Sequence, residues 1–169
     1  CSSDLMIELG GTVGDIESMP FIEALRQMRF SLPENSLSWC HCSFIPNMSG
    51  QKTKPTQHSI KALLALGIQP DFVVCRNAEP LDDGTRKKIA NQCNIRQERI
   101  LSAHDVNNLF HVPRVLAEQN ILGKLTNVLR LDRLGIDFEG CPGDMSLRTL
   151  GDWNGFAKQV DDAEAAHPV

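Results

Sequence analysis

The sequence predicts an α/β fold in which a mostly parallel sheet is flanked by helices. Short apolar runs alternate along the 169 residues with longer segments whose apolar residues recur at helical spacing. Each strand is therefore separated from the next by a helix, which is the crossover connection that parallel strands need. Hydrophobic residues make up 41% of the chain and charged residues 22%, a composition typical of globular domains.

The first predicted elements are a strand at residues 4–9 and a helix at residues 19–30. The strand sequence, DLMIEL, is short and apolar, and glycines follow it. The helix begins near Pro20, because proline suits a first helical turn. Its expected apolar face consists of Phe21, Leu25 and Met28.

Two more strand–helix units follow in the central part of the chain. Residues 37–45 are predicted as a strand and residues 55–66 as a helix that Gly67 stops. Residues 71–76 form the next predicted strand. The helix after it, at residues 82–93, has acidic residues in its first turn and lysines later, as the helix dipole favours.

The last strand is predicted at residues 99–104, and helical segments fill residues 112–130. The glycine-rich, acidic stretch from residue 131 to 146 is typical of a linker. An amphipathic helix follows at residues 149–166, with one apolar face formed by Leu150, Trp153, Ala157 and Val160. A single helix after a linker is expected to dock on another part of the protein.

Charge and composition exclude some classes of protein. The net charge of −4 and pI of about 5.7 argue against a general nucleic-acid binder, which needs a basic face. No apolar stretch approaches the roughly twenty residues of a membrane span, and no signal peptide opens the sequence. The six cysteines are scattered, which indicates free thiols in a cytoplasmic protein. The spacing of Cys40-His41-Cys42 is too tight for a zinc knuckle, so we interpret it as structural.

Polar side chains follow three predicted strands, at residues 8–18, 46–57 and 104–108. In a parallel sheet these loops share the carboxyl end, where ligands of such folds bind. We call them the acidic loop, the lysine loop and the histidine loop.

The lysine loop is the candidate phosphate site. Lys52 and Lys54 flank the start of a predicted helix, whose free N–H groups and dipole favour an anion. Pro55 fixes the entry of that helix without wasting an N–H group. A solvated lysine pair at an ordinary helix start is the open alternative.

The acidic loop has three glycines and three carboxylates but no lysine. Glu8 stands at the predicted end of a strand, where a carboxylate can bind Mg²⁺ that bridges to phosphates. Asp15 and Glu17 lie past the turn, where they could accept hydrogen bonds from a sugar or a base. The alternative is that Asp15 caps the following helix.

Several stretches of the sequence resemble CTP synthases. ELGGTVGDIES and PFIEALRQM begin the resemblance, and GQKTKPTQHSIKAL and LGIQPDFVVCR continue it. KKIANQCNI, HDVNNLFHVP and DWNGFAKQV extend it to the tail, so it covers essentially the whole chain. GGTVGDIES and KTKPTQHS are its most specific motifs.

The resemblance implies an enzyme in which ATP phosphorylates O4 of UTP and ammonia then displaces that phosphate to give CTP. The ammonia comes from glutamine, which a separate glutamine amidotransferase domain hydrolyses. The resemblance also implies a P-loop amidoligase-like, Rossmann-like fold and a homo-oligomer, either dimer or tetramer.

Site residues are implied by matching the motifs. Glu8 is expected to be a Mg²⁺ ligand. His104, Asp105 and Val106 are expected to hold the adenine of ATP. The expected UTP and CTP site consists of Asp15, Ile16, Glu17, Lys52, Thr53, Lys54, Pro55, Thr56, Gln57 and Lys88.

The match to this family is partial. No G-x-x-x-x-G-K-[ST] P-loop occurs in the sequence, and no cysteine matches the glutaminase nucleophile. We therefore expect a partial amidoligase domain at residues 1–130, and a linker with a docking helix toward an absent domain at residues 131–169. Gly50 stands where the family commonly has Glu, and Asn91 and Gln92 stand where apolar residues are usual.

Two other functions stay open from the sequence. One is a non-catalytic paralogue that binds pyrimidine nucleotides or assembles with full-length subunits. The other is a related P-loop amidoligase with a different substrate, against which KTKPTQHS argues.

Overall fold

A three-stranded parallel sheet organises the computed structural model, which describes residues 5–134 and 145–166. The strands are β1 (Cys40–Phe44), β2 (Phe72–Asn77) and β3 (Ile100–His104), and they lie in the order β1-β2-β3. The helices are α1 (Met19–Ser31), α2 (Lys54–Ala65), α3 (Asp83–Cys93), α4 (Val112–Glu118), α5 (Ile121–Leu129) and α6 (Met145–Ala166). The predicted α/β class and parallel sheet are confirmed.

The hydrophobic core lies between one face of the sheet and helices α2 and α3. Side chains alternate across a strand, so Val73, Cys75 and Ile100 share the face that meets these helices. Ile60 from α2 and Ile89 from α3 are fully buried against them. Burying large apolar side chains of this kind contributes roughly 1.5–3 kcal/mol each.

The two outer edges of the sheet differ. At β3, the carboxamide of Gln119 accepts from the Ser102 N–H at 2.8 Å and donates to the Ser102 carbonyl at 2.7 Å. Arg86 donates to the carbonyl of Ile100 on the same edge. At β1, no strand of the described residues pairs with the outer edge.

One face of β1 is open as well as its edge. Cys40, Cys42 and Phe44 alternate on that face, and all three are exposed. Parallel sheets are normally covered on both faces, so this strand is partner-deficient within the described chain.

The strand predicted at residues 4–9 is wrong for the described residues 5–9, which have no regular secondary structure. Leu5, Met6, Ile7 and Leu9 are all exposed, and Met6 is 96% accessible. A strand needs a neighbour to satisfy its backbone groups, and the described sheet does not extend to this segment. An apolar run alone therefore did not specify a strand here.

Two helix predictions also need correction. The helical stretch at 112–130 divides into α4 and α5, because Asn120 between them adopts a left-handed conformation with φ of 56°. In α1 the buried residue is Ile22; Leu25 and Met28 of the predicted face are half-buried, whereas Phe21 is 62% exposed and was wrongly assigned to that face.

The linker prediction is only partly covered by the structure. Residues 131–134 form a 3-10 turn, and residues 135–144 lie outside the described residues. The predicted terminal helix is confirmed as α6, in which Ala157 is fully buried. Among the described residues, no helix has the length and apolar character needed to cross a membrane.

Candidate functional site

The lysine loop runs from β1 into the first turn of α2, at the carboxyl end of the sheet. Lys52 and Lys54 are both exposed, and Lys54 is the first residue of the helix. Because Pro55 follows it and has no N–H, the N–H groups of Lys54 and Thr56 are the donors of this helix end without a partner in the helix. The Lys52 ammonium lies 3.4 Å from the Ser49 carbonyl. The free N–H groups at the start of α2 and the exposed lysines on either side of Thr53 are features that suit an anion site.

The two threonines of this loop are buried and serve the fold. Thr56 is fully buried, and its hydroxyl lies 2.7 Å from the hydroxyl of Ser43 on β1. Thr53 is 3% exposed and accepts a hydrogen bond from the Gln57 amide at 2.9 Å. The Thr56 contact ties the start of α2 to β1, and the Thr53 contact stabilises the first turn of the helix.

A second loop, residues 78–82 after β2, joins the lysine loop. The carboxamide of Gln51 donates to the Pro80 carbonyl at 2.9 Å and accepts from the Asp82 N–H at 3.2 Å. Sequence reasoning missed Gln51 and this loop. Its position in the sequence could have identified this loop, because it follows a central strand and so lies at the same end of the sheet.

The acidic loop is a glycine turn held by its own backbone. Gly11 and Gly14 have φ of 91° and 102°, a region that favours glycine. The Asp15 carboxylate accepts from the Thr12 N–H at 3.2 Å, and the Asp15 carbonyl accepts from the Ser18 hydroxyl at 2.9 Å. Asp15 therefore closes the turn and does not cap α1, whose N-cap residue is Ser18.

The remaining acidic-loop residues assigned from sequence are open to solvent. Glu8, Asp15, Ile16 and Glu17 are all exposed, and Ile16 is 89% accessible. Glu8 lies near β1, since its charge acts on the thiol of Cys42. A hydrogen bond from Cys40 lowers the pKa of Cys42 to about 6, while burial and Glu8 oppose that shift.

The histidine loop begins at the last residue of β3. The Asp105 N–H donates to the Asn77 carbonyl at 2.9 Å, and the Asp105 carboxylate lies 3.7 Å from Arg76. His104 is half-buried, with its Nδ1 atom 3.5 Å from the Ser102 hydroxyl. Sequence reasoning also missed Arg76, an exposed cation at the carboxyl end of the central strand.

Lys88 is exposed on the second turn of α3. With a rise of about 1.5 Å per residue, it lies about 7.5 Å along the helix from Asp83 at its start. No described hydrogen bond or ion pair connects Lys88 to the lysine loop. The structure thus places the lysine and histidine loops at the carboxyl end of the sheet. Lys88 lies on the second turn of α3, further from that end.

A magnesium ion would find few protein ligands here. Among the described residues, no group of three or more His, Cys, Asp or Glu side chains could hold a metal ion. Glu8 is exposed and able to provide one carboxylate oxygen. Such a site fits Mg²⁺ only if phosphates and waters complete the coordination, which is how this ion usually binds in phosphoryl-transfer sites.

Comparison with known proteins gives a consistent result. Residues 2–131 match the family model described as CTP synthase N-terminus. CTP synthase 1 of Saccharomyces cerevisiae is 43% identical over 159 residues, covering 94% of this chain and 27% of that protein. CTP synthase 1 of Homo sapiens is 42% identical over 159 residues, covering 92% of this chain and 25% of that protein.

A third relative has a lower sequence identity to this chain. The CTP synthase of Dictyostelium discoideum is 38% identical over 169 residues, covering 97% of this chain and 30% of that protein. The chain therefore spans between 25% and 30% of the length of these three relatives.

Proposed function

The chain belongs to the CTP synthase family, and we propose that it supplies the pyrimidine-nucleotide loops of ATP-dependent amination of UTP to CTP. In this reaction ATP phosphorylates O4 of UTP, and ammonia displaces the phosphate. The ammonia would come from glutamine through a glutamine amidotransferase domain. The relatives are several times longer than this chain. The complete reaction is therefore a proposal that the similarity alone does not establish.

The observation that carries the proposal is the lysine loop at the start of α2. Lys52 and Lys54 are exposed beside free helix N–H groups, and Thr53 and Thr56 fix the loop from below. This arrangement suits the phosphates of UTP or CTP. Pro55 and Gln57 shape the same turn, and Lys88 would add charge from α3.

The acidic loop would complete the pyrimidine site. Exposed Asp15 and Glu17 can accept hydrogen bonds from a ribose or base, and Ile16 offers an apolar side chain between them. Glu8 would provide one ligand to Mg²⁺, which when bound would neutralise phosphate charge. Phosphoryl transfer needs positioned cations more than it needs a protein nucleophile, which agrees with these residues.

ATP is proposed to meet the histidine loop. His104, Asp105 and Val106 follow β3, and a backbone hydrogen bond from Asp105 to Asn77 sets their position. Residues 1–130 would be part of the amidoligase domain, and residues 131–169 would lead to the glutaminase domain. The end of the family match at residue 131 supports this boundary.

The cellular setting belongs to the same proposal. We place the protein in the cytoplasm as a homo-oligomer, with no nucleic-acid or membrane partner. Free thiols at Cys40, Cys42, Cys75 and Cys93 support a reducing compartment.

Equilibrium binding of UTP and CTP, with and without Mg²⁺, tests the proposal. Lys54→Ala should weaken binding of both nucleotides by roughly tenfold or more, because a charged hydrogen bond to phosphate is lost. Lys61→Ala, on the same helix but two turns further along, is the matched control and should leave binding unchanged. GTP serves as the control ligand. Equal losses in both variants, or no pyrimidine preference, would rule out the lysine loop as the site.

A second function has one observation in its favour. The exposed face and edge of β1 suit assembly with another subunit, so the chain could be a non-catalytic pyrimidine-binding module. Both functions predict that the purified chain forms no CTP from UTP, ATP and ammonia, because the sequence has no P-loop. The two functions can be distinguished by adding a full-length subunit and measuring CTP formation. Only the enzymatic function predicts that Lys54→Ala in this chain reduces CTP formation by the mixture.

A further inference from the structure

Asn108 joins the end of the histidine loop to helix α6. Its side chain is 5% exposed, and its amide group donates to the Ala157 carbonyl at 3.0 Å and to the Asp161 carboxylate at 2.9 Å. Its own side-chain oxygen accepts from the Phe110 N–H at 2.9 Å. Both ends of the carboxamide are therefore engaged, which leaves this side chain one orientation.

His111 makes a second contact with the same carboxylate. Its Nε2 atom lies 2.7 Å from the second oxygen of Asp161, so both oxygens of Asp161 bind this one segment. Hydrogen bonds from Asn108 and then His111 hold the pKa of Asp161 below its ordinary value. These hydrogen bonds therefore favour the ionised form of the Asp161 carboxylate.

Aromatic packing adds a third contact between the segment and α6. The ring of Phe110 lies 4.9 Å from the ring of Phe156 and 5.7 Å from that of Trp153. The indole N–H of Trp153 donates to the Phe110 carbonyl at 2.7 Å. Stacked or edge-on pairs of this kind contribute about 0.5–1.5 kcal/mol beyond their buried area.

The same segment borders the proposed ATP position. Val106 lines a cleft of about 590 Å³, and Asp161 and Glu164 of α6 line its other wall. Only one residue separates Val106 from Asn108 in the sequence, and Asn108 is hydrogen-bonded to α6. A ligand held at the histidine loop and a displacement of α6 would therefore move the same backbone.

We propose that Asn108 and His111 are positioning residues that couple ATP binding at the histidine loop to docking of α6. The proposal rests on the ATP site proposed above, and its consequence is reciprocal. If docking of α6 favours ATP binding, then ATP must favour docking by the same factor. The docking of α6 would then report the state of the nucleotide site.

ATP titration of the whole chain, with UTP titration in parallel, tests this coupling. Asp161→Asn removes the charge on α6 and weakens the hydrogen bonds to Asn108 and His111 while leaving both of those side chains unchanged, and it should weaken ATP binding roughly five- to tenfold. UTP binding should not change. Asp162→Asn, at the exposed neighbouring position, is the matched control and should leave both affinities unchanged. Circular dichroism establishes that each variant is folded.

Amide hydrogen exchange gives the reciprocal measurement. ATP should slow exchange in α6 of the parent chain and have less effect in Asn108→Ala, whereas a purely structural bond would give no dependence on ATP. If the parent binds ATP but Asp161→Asn binds it equally well and α6 is not protected, the coupling is wrong and the ATP site stands. If the parent binds no ATP at all, both the site and the coupling are overturned.

Discussion

Thr56 has a different role from its neighbours in the lysine loop. Sequence matching groups it with nucleotide-binding residues, yet its hydroxyl is buried and lies 2.7 Å from that of Ser43. A buried hydroxyl that loses its partner costs about 1–3 kcal/mol. The Thr56 hydroxyl therefore contributes to the stability of the loop, and the assignment of Thr56 and of the exposed Lys54 to nucleotide binding stays a prediction.

Thr56→Val should destabilise the chain by about 1–2 kcal/mol, because it leaves the Ser43 hydroxyl without its partner. Urea denaturation followed by circular dichroism measures this change. Thr126→Val is the control, since its hydroxyl donates to the Leu122 carbonyl of its own helix at 2.9 Å. A loss of stability no larger than that of the control would contradict the structural role of Thr56.

The sequence predicted which types of residue form the candidate site, but it did not predict the structural surroundings of each residue. The motifs identified the charged positions, and the structure brings Lys52 and Lys54 to the end of the sheet as expected. Gln51 was not predictable, because its function depends on a loop 29 residues away that only the folded sheet brings near. The nucleotide contacts themselves stay predictions.

At the scale of one element, α3 is the helix with the clearest start signal. Asp82 precedes it in an extended conformation and accepts from the Thr85 N–H at 2.7 Å and the Thr85 hydroxyl at 2.8 Å. These hydrogen bonds, first from the backbone and then from the side chain of Thr85, lower the pKa of Asp82. The cap therefore stabilises the helix in its ionised form.

Asp82→Ala should lower the free energy of unfolding by about 1 kcal/mol at pH 7. A carboxyl with a lowered folded-state pKa stabilises fully above its unfolded pKa of about 3.9, and the benefit is lost as pH falls through the folded value. The difference between parent and variant should therefore shrink below about pH 4. Denaturant titrations from pH 7 to pH 3 measure it.

Asp83→Ala is the control for that prediction. It removes a negative charge from the first turn of α3 without removing the cap, and its cost should be near the 0.3 kcal/mol or so of a dipole interaction. Equal costs for the two variants, or a cost for Asp82→Ala that does not vary with pH, would show that the cap is unimportant.

Elements with local signals were predicted well, and elements that depend on distant partners were not. Helix α3 has its cap, its acidic first turn and a left-handed Asn94 at its end, all within a few residues. Residues 5–9 have the composition of a strand, but a strand exists only beside another strand. The break between α4 and α5 depends on the left-handed backbone conformation of Asn120, which the periodicity of apolar residues does not predict.

For the whole molecule, the open side of β1 should dominate its behaviour in solution. Phe44 is 60% exposed on a strand whose outer edge pairs with nothing in the described chain, and the apolar segment at residues 5–9 is exposed as well. Exposed apolar edge strands promote association, and lysine is a residue that proteins use to prevent it.

Phe44→Lys should reduce concentration-dependent self-association, because it places a charge on the open face of this edge strand. Sedimentation velocity over a range of protein concentrations measures the effect. Leu122→Lys adds the same charge on α5, where Leu122 is 46% exposed, and should leave association as in the parent. Unchanged association in Phe44→Lys would mean that another surface is responsible.

Closure of the β3 edge by Gln119 and Arg86 limits the stoichiometry of any such association. Continuous fibres require two open edges in every copy, one for each neighbour. In the described part of this chain only the edge at β1 is open. Two copies that meet there face each other across a two-fold axis and leave no strand free for a third. As far as the described residues determine it, association through sheet edges would therefore stop at two copies.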